Sequence, residues 1–402
     1  MDFSGLNFTM PRVHFGAGRM SELPDLIAER GKCALLVTGK SSFRESARMK
    51  ELRSALAKRG VAVKELVIPG EPSPGMVDEA VAEFRDSGAD IVAAVGGGSV
   101  LDAAKAVAGL LPFGNSVLDH LEGVGRGIPY TGPAMPFIAV PTTAGTGSEA
   151  TKNAVLSEIG PGGYKKSFRH DTLVPQVALV DPELLASCPP DLIAANGMDA
   201  LTQLLESYVS TRANPLTDAL ALSGLTAIRE ALLPVFEESK QGGPVQNTEA
   251  LSRLAYASFL SGVTLAHAGL GSVHGMASPL GAYFPVPHGA ACGIMTARAA
   301  AENIRLLREN EPEHPSLEKY GTIGLLFSGR DAHDLKRKDR PEELTRILGE
   351  WTERLELPGL SAYGISPADL PKIAAGSFGN SMQTNPVKLT EAQVESMLHD
   401  RL

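Results

Sequence analysis

Asp199, His274 and His288 are the side chains in this chain best suited to chemistry. One carboxylate and two imidazoles suit Zn2+ or Fe2+ and leave a coordination position open for a substrate oxygen. Gln203 lies four residues after Asp199 and shares its face if the segment is helical. Its carbonyl oxygen is a weaker fourth donor than an imidazole. Spacing alone leaves a second reading open, in which the histidines are core residues. His267, seven residues before His274, is about 10 Å away along an ideal helix and reads as structural.

A different chemistry is written at 91–99. The apolar run Ile91-Val92-Ala93-Ala94-Val95 leads into Gly96-Gly97-Gly98-Ser99 and then a helical pattern. Glycines let the backbone turn tightly and approach a ligand. A helix start offers free N–H groups and a positive dipole end to a pyrophosphate, and Ser99 adds a hydroxyl donor. The same three glycines also fit a plain strand–helix turn. Asp102 is either a dipole-stabilising acid or a contact to a neutral part of a cofactor, and Lys105 reads as a surface lysine. A second polar loop, Pro141-Thr142-Thr143-Ala144-Gly145-Thr146-Gly147-Ser148-Glu149, follows the next apolar run. Two such loops at the carboxyl ends of strands describe the usual nucleotide crevice of an α/β sheet.

The elements that must hold these groups fall into two kinds. Strands are expected at 33–38, 61–67, 91–95 and 137–140, with helices at 45–58, 76–87 and 101–111 between them, which implies βαβ units and a parallel sheet. Beyond Asp181-Pro182 the apolar period is helical, at 192–209, 218–236, 248–266 and 341–355. The expected architecture is an α/β dinucleotide-binding domain at 1–183 and an all-α metal and substrate domain at 184–402. His274 falls in a further helix-like segment. Pro279, Pro285 and Pro287 predict an irregular passage up to His288, and 330–340 reads as an exposed loop.

A chain of 402 residues is long enough for two cores. With 37 basic against 46 acidic residues its net charge is −9, which argues against nucleic acid as a partner. Cys33, Cys188 and Cys292 form neither a disulfide framework nor a C-x-x-C site, which fits a reducing cytoplasm. Cys292 reads as a small buried hydrophobe, with reactivity the alternative because His288 is close in sequence. Met1-Asp2-Phe3-Ser4 has no signal-peptide character, and no uninterrupted apolar run reaches the roughly 18 residues of a membrane span. A soluble cytoplasmic protein is expected.

Taken together, Phe15-Gly16-Ala17-Gly18, Gly96-Gly97-Gly98-Ser99 with Asp102 and Lys105, the loop 141–149, Gly197-Met198-Asp199-Ala200, His274-Gly275-Met276-Ala277, Pro287-His288-Gly289 and Thr384-Asn385-Pro386 occur in order along nearly the whole chain. This set resembles the iron-containing (group III) alcohol dehydrogenase family, which includes lactaldehyde reductase and butanol dehydrogenase. The resemblance implies an NAD(P)-dependent alcohol dehydrogenase or aldehyde reductase, with its active site in the cleft between the two domains. Gly97, Gly98 and Ser99 would hold the pyrophosphate, with Asp102, Thr142, Thr143, Ser148 and Lys165 along the rest of the cofactor. Asp199, His274 and His288 match three metal-ligand positions, for Fe2+ or Zn2+. Gln203 stands where the family has a histidine ligand, and Ser278 where a histidine usually faces the substrate. NAD-specific members carry an acid after the first strand of the sheet, whereas this chain has Gly39-Lys40-Ser41, which leaves room for a 2′-phosphate and implies NADP(H). Partners are then a small alcohol or aldehyde and a second copy of the chain, with neither nucleic acid nor membrane. Two other readings remain: a metal-independent reductase similar to the maleylacetate reductases, and a nucleotide-binding pseudoenzyme.

Overall fold

The computed structural model describes residues 7–160 and 162–402. The N-terminal Met1-Asp2-Phe3-Ser4 therefore lies outside the described residues. The chain divides into an α/β unit, Phe8–Glu158 with Gly163–Ser187, and a helical unit built on Cys188–Leu402.

In chain order the α/β unit contains β1 (Arg12–Phe15), α1 (Leu23–Ala28), β2 (Cys33–Gly39), α2 (Ala47–Lys58), β3 (Ala62–Ile68), α3 (Pro74–Phe84), β4 (Ile91–Gly96), α4 (Gly98–Leu110), β5 (Phe137–Pro141), β6 (Asn153–Glu158), β7 (Tyr164–Arg169) and β8 (Val177–Val180). Six strands form one sheet in the order β1-β8-β5-β4-β2-β3, and every pairing in it is parallel. The central strands β4 and β5 carry no polar side chain, and β2 carries only the buried Thr38, because both faces are covered. Leu35, Val37, Val92 and Ala94 point to the side of α3 and α4. Leu36, Ala93 and Val95 point to the side of α1 and α2. Strand order reverses between β2 and β4, so the loops after Gly39 and after Gly96 emerge side by side at the switch point where such sheets bind ligands. The antiparallel pair β6–β7, the short edge strand β1 and its equally short neighbour β8 were not anticipated from sequence.

The helical unit contains α5 (Pro190–Val209), α6 (Pro215–Ser239), α7 (Thr248–Ala268), α8 (Ser272–Tyr283), α9 (His288–Asn310), α10 (Pro315–Ser328), α11 (Arg340–Arg354), α12 (Leu370–Gly376) and α13 (Glu391–His399). α5 packs against α6, α7 and α9, and is buried on nearly every side from Ile193 onward. α6 has the length and apolarity of a membrane span, but it packs against both α5 and α7. The passage before His288 is shorter than its prolines suggest. Pro279 lies inside α8, and only 284–287 separates α8 from α9. His288 is thus the first residue of a 23-residue helix rather than part of a loop.

Candidate metal and dinucleotide sites

Three helices of the helical unit bring the metal candidates together. α5 carries Asp199, α8 carries His274, and α9 carries His288 and, one turn later on the same face, Cys292. One ligand atom from each of these four residues lies within 4.8 Å of the others. His274 Nε2 is 3.2 Å from Asp199 Oδ1 and 3.7 Å from Cys292 Sγ. His288 Nε2 is 3.8 Å from Asp199 Oδ1 and 3.9 Å from Cys292 Sγ. Metal–ligand bonds of about 2.0–2.3 Å set tetrahedral edges of about 3.3–3.8 Å. The spacing therefore suits a single divalent ion, and so does the donor chemistry. Asp199, His274 and Cys292 are buried, while His288 keeps partial solvent exposure.

A second layer fixes this arrangement. Glu206, buried on α5, accepts from the Val273 backbone N–H at 2.7 Å through Oε1, and its Oε2 sits 2.6 Å from His274 Nδ1. A carboxylate there anchors a proton on Nδ1 and aims Nε2 into the cluster. Gln203, the weaker fourth donor of the sequence reading, lies beside Asp199. Its Oε1 accepts from Ser261 Oγ at 2.6 Å, and its side chain hydrogen-bonds Asp199. Its side chain thus bridges Ser261 and Asp199 beside the cluster. Thr202 Oγ1 and Thr296 Oγ1, 2.5 Å apart, tie α5 to α9. Gly289 permits their close approach, since a Cβ there would stand 2.3 Å from the Ala195 carbonyl oxygen. His267 lies apart from the cluster, with Nδ1 2.7 Å from the Val263 carbonyl.

The electrostatics follow from burial and proximity. Burial opposes the charge on Asp199, yet His288 and His274 hold its carboxyl below the usual range. Burial likewise opposes a charged His274, but Cys292, Glu206 and Asp199 around the ring raise its pKa well above the ordinary histidine value. Burial pushes the Cys292 thiol up to about 12.

The α/β unit places its candidates in two groups. Gly97 caps α4 and Gly98 begins it, so the first N–H groups of a 13-residue helix face the end of β4. A Cβ on Gly98 would lie 2.5 Å from Thr146 Cγ2, which shows how closely the two polar loops pack. Thr142 N–H donates to the Gly96 carbonyl at 3.0 Å, and Thr142 and Thr143 are half-buried beside the glycines. Gly39 ends β2 with its neighbour Ser41 exposed, and a Cβ on Gly39 would find only Val100 Cγ2, at 3.7 Å.

The second group differs from expectation. Lys105 is completely buried, not on the surface. Its Nζ donates to the carbonyls of Ser148 at 2.8 Å and Asn153 at 2.7 Å, and lies 3.0 Å from Ser148 Oγ and 2.9 Å from Thr151 Oγ1. Ser148 Oγ donates in turn to Asp102, which also accepts from the Val155 backbone N–H at 3.2 Å. Asp102 and Ser148, expected along the cofactor, are thus committed to an internal network that pins the loop after β5 onto α4. Burial lowers the Lys105 pKa to about 8 and raises that of neighbouring Glu149 to about 7. Ser99 and Lys165 both pair with the exposed Glu71, at 2.9 and 3.2 Å. The Glu71 end of both contacts is open to solvent, while the Lys165 side chain is mostly covered.

Glu206 beside the cluster was missed from sequence and Lys105 was misplaced on the surface, while Cys292 is buried as expected but stands against the two imidazoles. Cys292 is four residues after His288, and Glu206 seven after Asp199, both helix-face spacings.

The comparisons with known proteins agree with this layout. Residues 11–182 match the family described as "Iron-containing alcohol dehydrogenase", and 193–402 match "Fe-containing alcohol dehydrogenase family, C-terminal". Lactaldehyde reductase of Escherichia coli K12 is 35% identical over 395 residues, 96% of each chain. NADPH-dependent butanol dehydrogenase of Clostridium saccharobutylicum is 31% identical over 411 residues, covering 98% of this chain and 97% of that one. A solved 1,3-propanediol oxidoreductase superposes with a TM-score of 0.88 at 29% identity, covering 98% of this chain and 99% of that one.

Proposed function

From the premise that the chain belongs to the iron-containing alcohol dehydrogenase family, we propose that it interconverts a small alcohol and its aldehyde or ketone with NAD(P)(H), at a metal held by Asp199, His274 and His288. The observation that carries this reading is the convergence of those three side chains, from three helices, within 4.8 Å. A divalent ion so held supplies Lewis acidity to the substrate oxygen, and a nicotinamide supplies or receives the hydride.

The chain's own residues do the rest. Glu206 keeps the proton of His274 on Nδ1, so that Nε2 stays free to ligate. The Gln203 amide holds Asp199 in place. The N–H groups at the start of α4 receive the pyrophosphate, with no side chain at Gly97 or Gly98 to keep it away. Lys105, from below, holds the Ser148–Asn153 backbone that continues the second polar loop. Lys165 and Ser99 are within reach of further phosphate contacts once released from Glu71. NADP(H) is the favoured dinucleotide, because Gly39 presents no carboxylate and leaves open space beside exposed Lys40 and Ser41.

Metal analysis of protein prepared without chelator, paired with an assay of NADPH and NADH oxidation across aldehydes, tests the reading. About one divalent ion per chain is expected. Stripping it should abolish turnover and leave dinucleotide binding largely intact. Full turnover by rigorously metal-free protein refutes the mechanism.

A further inference from the structure

Cys292 is not used by the reaction as described, yet its sulfur is one corner of the cluster. It sits 3.7 Å from His274 Nε2 and 3.9 Å from His288 Nε2, and the fourth donor expected at Gln203 is turned away toward Ser261. The position is built rather than incidental. α9 starts at His288, so the i,i+4 relation places the sulfur on the same face as the imidazole, and the tight α5–α9 contact at Gly289 presses that face toward Asp199. The side chain is fully buried, and the only partners found for its sulfur among the described residues are the two ligand imidazoles.

We propose that Cys292 is a direct protein ligand of the bound ion, as thiolate, giving an Asp–His–His–Cys donor set that selects Zn2+ over Fe2+. This rests on the metal reading above and deepens it. Thiolate is the softest donor in the set and favours Zn2+, whereas a carboxylate with imidazoles alone accommodates either ion. On binding, the sulfur–metal bond replaces the S–H bond and the proton leaves to solvent, with no change of oxidation state. A fourth protein donor does not close the centre to substrate, because catalytic zinc sites expand to five-coordinate.

The test uses Co2+ as a spectroscopic stand-in in the full-length, chelator-stripped protein carrying Cys33→Ser and Cys188→Ser, so that Cys292 is its only thiol. An intense near-ultraviolet thiolate-to-cobalt charge-transfer band at one equivalent is the expected result. Cys292→Ser in the wild-type background should lose that band and bind Zn2+ at least about 10-fold more weakly in a chelator competition. Cobalt bound without the band overturns the ligand assignment and leaves the metal reading standing. A band that persists in Cys292→Ser overturns it as well. No cobalt binding at all overturns both. Because the band is read first in protein that keeps Cys292, the outcome does not depend on Cys292→Ser folding well.

Discussion

Lys105→Met is the most informative change in the α/β unit, because its effect on stability should depend on pH. Methionine keeps the bulk of the side chain but removes the ammonium. The Asn153 carbonyl loses its one short donor, while the Ser148 carbonyl keeps the Thr151 backbone N–H at 3.2 Å and the hydroxyls of Ser148 and Thr151 can turn to other partners. An unmet carbonyl costs about 1–3 kcal/mol. Against this stands the relief of a buried charge. Burial lowers the Lys105 pKa from 10.5 to about 8, a gap that corresponds to about 3 kcal/mol. At pH 7 the two terms oppose one another, and the net destabilisation stays below about 3 kcal/mol. Between pH 8 and 10.5 the native protein has released the Lys105 proton and the unfolded chain has not. Unfolding then takes up a proton, so raising the pH favours the native state through this group. Wild type should therefore gain up to about 3 kcal/mol on the variant between pH 7 and pH 10. Denaturant unfolding followed by circular dichroism at both values reads this difference. The same variant should bind dinucleotide more weakly, since the second polar loop loses its anchor on α4. Equal stability differences at the two pH values, with unchanged dinucleotide affinity, would refute the assignment of Lys105 as a buried, charge-strained tether.

Glu206→Gln should lower metal affinity about 10–100-fold in a chelator competition, because one amide cannot accept from both Val273 N–H and His274 Nδ1–H, and the ring is driven to the tautomer whose Nε2 carries the proton. Unchanged affinity would remove Glu206 from the site. Gly39→Asp should fold normally, given the open space at its Cβ, and shift the kcat/KM ratio toward NADH by about 10-fold or more, as expected when a carboxylate meets a 2′-phosphate. An unaltered protein that already uses NADH as well as NADPH would refute the cofactor reading.

Much of this was legible in the residues. The alternation of apolar runs with helical patterns up to 181 marks a parallel sheet, because strands covered on both faces need no polar positions. Asp199, His274 and His288 were candidates by donor type, and the resemblance to the family singled them out from the other histidines. What escaped did so for identifiable reasons. β1 and β8 have four residues each, too few for a period to register. Lys105 was misread although its neighbours Ala103, Ala104, Ala106, Val107 and Ala108 make the helix apolar all round, a pattern that signals burial on every side. Gln203 was placed on the correct face, but sequence does not say which way an amide turns, and the Ser261 hydroxyl on α7 decides that. Prolines near His288 suggested a loop, which hid the helical spacing from His288 to Cys292. Pro279 is instead accommodated within α8, and the irregular passage shrinks to 284–287.

The contacts that bring α5, α8 and α9 together are all protein to protein: Gly289 against the Ala195 carbonyl, Thr202 with Thr296, and Glu206 with the Val273 backbone. None of them involves a proposed ligand atom, so the packing of the three helices does not rest on the ligands themselves. A frame held in this way would lose little ordering entropy on loading. Exchange of an ion held there would then be a step apart from folding, with the helices keeping their places. What the folded chain carries in a cell would depend on which metals are abundant there as much as on which its ligands prefer.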